Sequence, residues 1–196
     1  MNNLDRIFTK DPVAFAEAYL DYLTSVLKTI DAREIGQFIE TLLDARESDA
    51  TIYFIGNGGS AAIASHVSVD LTKNANIRSV NFNEADLITC FSNDYGYEHW
   101  IEMAINYFGD KNDVLIVISS SGKSKNIINA CTAAKKKKFS KIITLTGHSI
   151  KNPIKKLGNI NLWVNSKAYN KIENIHQFWL LSLVDLIVGK ANYLTK

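Results

Sequence analysis

Five short runs rich in β-branched and aromatic residues, Thr51 to Ile55, Ser79 to Phe82, Val114 to Ile118, Lys141 to Leu145 and Asn161 to Val164, are separated by stretches of helical periodicity. Strands that alternate with helices pair in parallel, since each crossover brings the chain back to the starting edge, and their apolar runs need cover on both faces. The pattern predicts a doubly wound α/β protein with a mostly parallel, five-stranded sheet. Two helices precede it. Asp11 and Pro12 form an N-cap and first-turn pair ahead of Ala16, Tyr19, Leu20, Leu23, Val26, Leu27 and Ile30 at helical spacing. Asp31 and Glu34 then resemble a capping box opening the stripe Ile35, Phe38, Ile39, Leu42 and Leu43. With only two prolines and no Gly/Ser-rich linker, the reading is a single domain over 1–196, with extra N-terminal helices in 1–48 and the α/β core and last helix in 49–196.

Of the 196 residues, 46% are hydrophobic, enough for a core that needs no disulfide or metal to fold. A formal charge of +2 gives no electrostatic footprint for nucleic acid. The N-terminus, Met1 to Pro12, carries Asp5, Arg6, Lys10 and Asp11 and no apolar run of the signal-peptide type. The longest apolar stretch, Phe178 to Val188, contains Asp185 and falls short of the ~20 residues that cross a bilayer. No membrane association is expected, and the chain reads as cytoplasmic. Cys90 and Cys131, in helical stretches without CxxC spacing, read as small buried apolar residues of a reducing compartment. The final helix, from about Asn170 to Val188, is more apolar than one stripe can bury, which predicts that it and the N-terminal helix pack against their copies in a homo-oligomer.

Two loops carry the chemistry. Gly56-Asn57-Gly58-Gly59-Ser60 follows the first strand and opens a helix, so its glycines permit close backbone approach while free helical N–H groups face the loop. A tight turn with Ser60 as N-cap is the plain alternative. Ser119-Ser120-Ser121-Gly122-Lys123-Ser124 follows the third strand in the same way and adds four hydroxyls, an uncharged cradle for one phosphate. Both loops belong at the C-terminal edge of the sheet, where open α/β sheets bind ligands. Gly122-Lys123-Ser124 imitates a Walker A ending, but Val117 stands at the first-glycine position. Gly56-x-Gly58-x-x-Ala61, with Glu84 as ribose acid, fits a relaxed dinucleotide fingerprint and leaves the serine loop unexplained. No nucleotide cofactor is expected.

With these loops the chain resembles the sugar isomerase (SIS) domain proteins, and among them the phosphoheptose isomerases, through Gly56 to Ser60, the helix bearing His66, Asn93 to Tyr97, Val114 to Ser124, Thr144 to Gly147 and Ile172 to His176. The resemblance implies a flavodoxin-like sheet and a homotetramer with sites at subunit interfaces. It implies sugar-phosphate binding by Asn57, Gly58, Gly59, Ser60, Asp94, Ser119, Ser120, Ser121 and Ser124, and proton transfer by Asp70 and His176. A divalent metal, zinc in some members, would be held by His66, Asp70, Glu173 and His176. His66 and Asp70 share one helix face at i, i+4, and Glu173 and His176 another at i, i+3. Asp70 stands where the isomerases carry Glu, Glu173 where they carry Gln, and the Asn74 to Arg78 segment is shorter than theirs. The expected activity is aldose-ketose isomerisation of a sedoheptulose 7-phosphate type of substrate through an enediol. The alternative is a non-catalytic phosphosugar-binding protein that acts as a sensor or assembly factor.

Overall fold

The computed structural model describes residues 7–190; Asp5 and Arg6 lie outside them. Its strands are β1 (Ile52–Gly56), β2 (Ser79–Asn81), β3 (Val114–Ser119), β4 (Lys141–Thr146) and β5 (Ile160–Trp163), within a residue or so of the expected runs. All pair in parallel in the order β2-β1-β3-β4-β5. The order reverses between β1 and β3, which leaves a crevice beyond their C-terminal ends.

Successive side chains of each strand serve two different cores. Ile52, Phe54, Ile116, Ile118, Ile143 and Leu145 pack with α1 (Pro12–Leu27), α2 (Ala32–Glu47), α3 (Gly59–Ala75) and α7 (Tyr169–Val188). Tyr53, Ile55, Leu115, Val117 and Ile142 point the other way, against α5 (Trp100–Phe108) and α6 (Lys125–Lys136). Period-2 alternation with both faces apolar explains why β1 and β3 are buried along their whole length.

Helix ends follow local chemistry. The Asp11 carboxylate accepts the Val13 N–H at 2.9 Å and starts α1 at Pro12; the helix ends at Leu27, so Ile30 lies beyond it. Asp31 caps α2 through the Arg33 N–H at 2.9 Å, whereas the Glu34 N–H goes to the Asp31 carbonyl, so the side chains do not form the reciprocal capping box. Cys131 is buried as expected, its thiol pushed up to about 12 by burial. Cys90 departs from expectation. It is exposed, because α4 (Ala85–Tyr95) turns only Leu87, Ile88 and Phe91 toward the core and buries no residue fully.

Along α7, Trp179, Leu180, Leu183 and Val184 are buried while Phe178 and Leu186 stay 58% and 63% exposed, which leaves an outer apolar stripe of the kind the sequence foreshadows. No described helix is long and apolar enough to cross a membrane. Lys171, on the first turn of α7, is wholly buried. Its Nζ donates to the Tyr19 carbonyl at 2.8 Å and lies against the Tyr19 ring, so α1 is fastened to α7 by an ammonium whose pKa burial pulls down to about 8.

At the opposite edge of the sheet, Asp113 joins the starts of β1 and β3. Its buried carboxylate accepts the Thr51 N–H at 2.8 Å and the Asp110 N–H at 2.7 Å. Replacing it by Ala leaves two backbone donors without an acceptor where little water reaches. Asp113→Ala is expected to lower unfolding free energy by about 2–3 kcal/mol in urea titrations, with an unchanged m-value.

Candidate functional site

The two loops meet at the crevice. β1 and β3 run in register with Gly56 opposite Ile118, so the chain leaves both strands side by side. After Gly56 the backbone turns at Gly58, whose φ of 56° and ψ of −124° belong to glycine, and α3 begins at once. Gly58, not Ser60, is the N-cap, which leaves the Ser60 hydroxyl without a capping duty. Gly59 has no room for a Cβ: the Glu173 carboxylate of α7 occupies that space.

The serine loop is shaped by its own hydroxyls. Ser119 Oγ accepts the Gly122 N–H and Ser121 Oγ the Lys123 N–H, each at 3.3 Å, around a Gly122 with φ of 64°. Ser124 is the N-cap residue of α6 but makes no capping hydrogen bond with its side chain. Ser120 Oγ is buried with no partner among the described residues. Such a hydroxyl leaves its hydrogen-bond inventory incomplete within the subunit.

Ser60, Ser119, Ser120, Ser121, Ser124 and Asn57 line a single cavity of about 150 Å³, closed on the α7 side by Tyr169 and Glu173. That is room for several waters or one small group. The lining is hydroxyl-rich and its sole charged side chain is Glu173, whose carboxyl is pushed above the usual range by burial. Gly58 and Gly59 form the adjoining turn.

The remaining expected residues are placed elsewhere. Asp94 is exposed at the end of α4, where it accepts a hydrogen bond from Asn93 Nδ2 at 2.9 Å. His66 Nε2 and Asp70 Oδ2 lie 3.4 Å apart on α3, and His66 Nδ1 faces Gln177 Nε2 of α7 at 3.4 Å. Asp70 is ten residues beyond Ser60, about 15 Å along the helix axis, and does not line the cavity. His176 is fully buried. Its Nε2 meets the Thr146 carbonyl at 3.2 Å and its Nδ1 has no partner. In this subunit the ring is sealed from solvent and is not part of the cavity lining, so His176 is placed in the core and not beside the serines.

The metal expectation meets the same geometry. Among the described residues no three His, Cys, Asp or Glu side chains gather closely enough to hold an ion. Glu173 lies on Gly59, His66 and Asp70 lie further along α3, and His176 is turned into the core. Within one subunit these four residues do not fit a metal. Sequence reasoning also passed over Tyr169, the cavity wall, and Asn126, a buried α6 amide that reaches Asn57; no spacing rule marks either.

A sequence profile of the SIS domain matches residues 14–147. Phosphoheptose isomerase of Helicobacter pylori strain ATCC 700392 / 26695 is 30% identical over 190 residues, 94% of this chain and 95% of that protein. The Leptospira biflexa enzyme of the same name is 34% identical over 146 residues, 70% of this chain and 73% of its own. The structure of phosphoheptose isomerase from Neisseria gonorrhoeae superposes with a TM-score of 0.82 at 28% identity, covering 90% of this chain and 97% of the other.

The buried state of His176 has a measurable consequence. Burial pushes its pKa down from 6.5 to about 4, against the smaller opposing effect of the Thr146 bond. Between those values the unfolded chain binds a proton that the folded chain refuses, so stability is full above pH 6.5 and declines as pH falls toward 4. The decline attributable to this ring is about 3 kcal/mol. Urea unfolding between pH 4.5 and 7 should show that slope, and His176→Asn should flatten it.

Proposed function

The chain belongs to the SIS domain family, and from that premise we propose that it is an aldose-ketose isomerase of the phosphoheptose type, acting on a seven-carbon sugar phosphate such as sedoheptulose 7-phosphate. The observation that carries this reading is the cavity itself: five serines from two adjacent strand-to-helix loops, one of them with a buried unpartnered hydroxyl. Ser60, Ser119, Ser120, Ser121 and Ser124 hold the phosphate, and the starts of α3 and α6 add the positive ends of two helix dipoles. The sugar then extends past Glu173 and out of the cavity.

Isomerisation removes a proton from the carbon beside the carbonyl to leave an enediolate, moves the hydroxyl proton of that carbon to the former carbonyl oxygen, and returns the first proton to the former carbonyl carbon, so one carboxylate serves first as base and then as acid. With His176 sealed, the reading assigns this role to Asp70, whose carboxylate lies 3.4 Å from His66 Nε2 and accepts from Asn74 Nδ2, and leaves Glu173 to hydrogen-bond the substrate at the cavity mouth. Asp70 is too far along α3 to serve the cavity of its own subunit. The reading therefore includes a homotetramer in which a second copy brings Asp70 to the site, and the exposed Val69 and Phe178, neighbours in sequence of Asp70 and Gln177, supply apolar contact surface. A cytoplasmic setting belongs to the same proposal and accords with the exposed Cys90 thiol.

A specific observation favours a second reading, a phosphosugar-binding protein without chemistry: Asp70 is a methylene shorter than Glu and lies outside the cavity. Incubation with C5 to C7 sugar phosphates, followed by NMR, separates the two. The isomerase reading expects conversion, and expects Asp70→Asn to cut turnover at least ~100-fold with phosphate affinity retained. Binding without conversion by the native protein, together with conversion by Asp70→Glu, would establish the second reading. Ser121→Asp places a carboxylate in the cradle and should abolish sugar-phosphate binding in calorimetry while leaving the thermal transition in place; retained binding would remove the phosphate from this cavity.

A further inference from the structure

The turn between α4 and α5, Gly96 to His99, lies across the outside of both loops. Gly96 has φ of 85°, which lets the chain reverse sharply after α4. Tyr97 follows, and its hydroxyl donates to Asn57 Oδ1 at 3.2 Å. The same Asn57 oxygen accepts from Asn126 Nδ2 at 2.9 Å, and Asn57 Nδ2 donates back to Asn126 Oδ1 at 3.1 Å. Asn126 is buried, and its Oδ1 also accepts the Ile127 N–H at 3.0 Å, which fixes the amide relative to the first turn of α6. One residue further along the turn, the Glu98 carboxylate accepts from Lys125 Nζ at 2.9 Å and the Glu98 carbonyl from Asn129 Nδ2 at 2.8 Å, both donors on α6.

Asn57 belongs to the glycine loop and Asn126 to the helix that the serine loop opens. A reciprocal amide pair is therefore the direct tie between the two halves of the cavity, and a phenol on a separate turn completes the acceptor count of one of its members. We infer that Tyr97 is a positioning residue for the phosphate site: through Asn57 and Asn126 it holds the glycine and serine loops at the separation an anion requires, so that the cavity is formed before the ligand arrives. The ligand in this inference rests on the phosphosugar reading; the tie between the loops does not. Tyr97 is 56% exposed, so its ring contributes little to the core, and the effect of its hydroxyl falls on the loops.

Tyr97→Phe keeps the ring and removes the donor. Inorganic phosphate is the calorimetric probe, and amide hydrogen exchange over 57–60 and 119–124 reports the loops without any ligand. One neutral hydrogen bond at a part-exposed position corresponds to a change of about 3–10-fold. The expected result is exchange faster by that factor in both loops, a phosphate Kd weaker by the same factor, and an unchanged Tm. For the isomerase activity, KM for the sugar phosphate should rise in step with the phosphate Kd while kcat stays within about twofold. Asn126→Asp keeps the acceptor for the Ile127 N–H but removes the donor to Asn57, and the double variant with Tyr97→Phe should be less than additive because both act through Asn57. Unchanged exchange in both loops of Tyr97→Phe would overturn the inference, as would full additivity of the two substitutions. A native protein that binds no phosphate would instead count against the proposed function, with hydrogen exchange still deciding the role of Tyr97.

Discussion

Parallel pairing of β1 with β3 is the constraint from which the site follows. Both strands are buried on both faces, so their register is fixed by two cores at once, and a slip of one residue would drive Phe54 and Ile116 into the core that accepts Tyr53 and Leu115. At one end this register is secured by the Asp113 carboxylate, at the other by Gly56 lying opposite Ile118. Each strand then delivers its chain into a loop and a helix start, and two helix starts and a set of hydroxyls converge at one cavity. The crevice is a property of strand order, and the serines furnish it with chemistry.

No cation is among the residues lining the cavity, so any preference it has for a ligand comes from the geometry of its hydroxyls. Hydroxyls and helix starts reward an acceptor-rich tetrahedral group at a fixed position, whereas a lysine in the same place would attract any anion that arrived. Glu173 adds a carboxyl at the edge of this hydroxyl-rich lining, and burial raises its pKa and so favours its neutral form. With glycine at 59, the Glu173 carboxylate lies where a Cβ would otherwise stand, and a larger residue there would have to displace it. The two residues come from opposite ends of the chain yet share one space.

What could be read from sequence was what is local. Strand runs, glycine turns and the caps Asp11 and Asp31 are set by neighbours within a few residues, and the structure places each near its expected position. The serines could be assigned to one site because a strand-to-helix loop can only lie at one edge of a parallel sheet. Spacing fails where the partner is distant. Glu173 and His176, three residues apart on α7, do lie on one side of the helix, but the boundary between cavity and core runs between them, and the periodicity of the helix carries no mark of that boundary. Cys90 failed for the same reason, since helical periodicity does not reveal how much of a helix its neighbours cover. Tyr97 ends a motif, Asn93 to Tyr97, whose sequence does not show its partner, and Asn126 lies in no motif; both meet at Asn57.

The buried ammonium of Lys171 gives the N-terminal helix a different standing from that of an appendage. Lys171 lies between Tyr169 and Glu173 on the first turn of α7, so the residues that wall the cavity and the residue that grips α1 share one stretch of backbone. A charge in that position is tolerable only while the Tyr19 carbonyl and ring are there to receive it. The first turn of α7 is thus braced from behind by an element remote in sequence. In architectural terms α1 is a buttress, and the wall it supports is the α7 side of the serine-lined cavity.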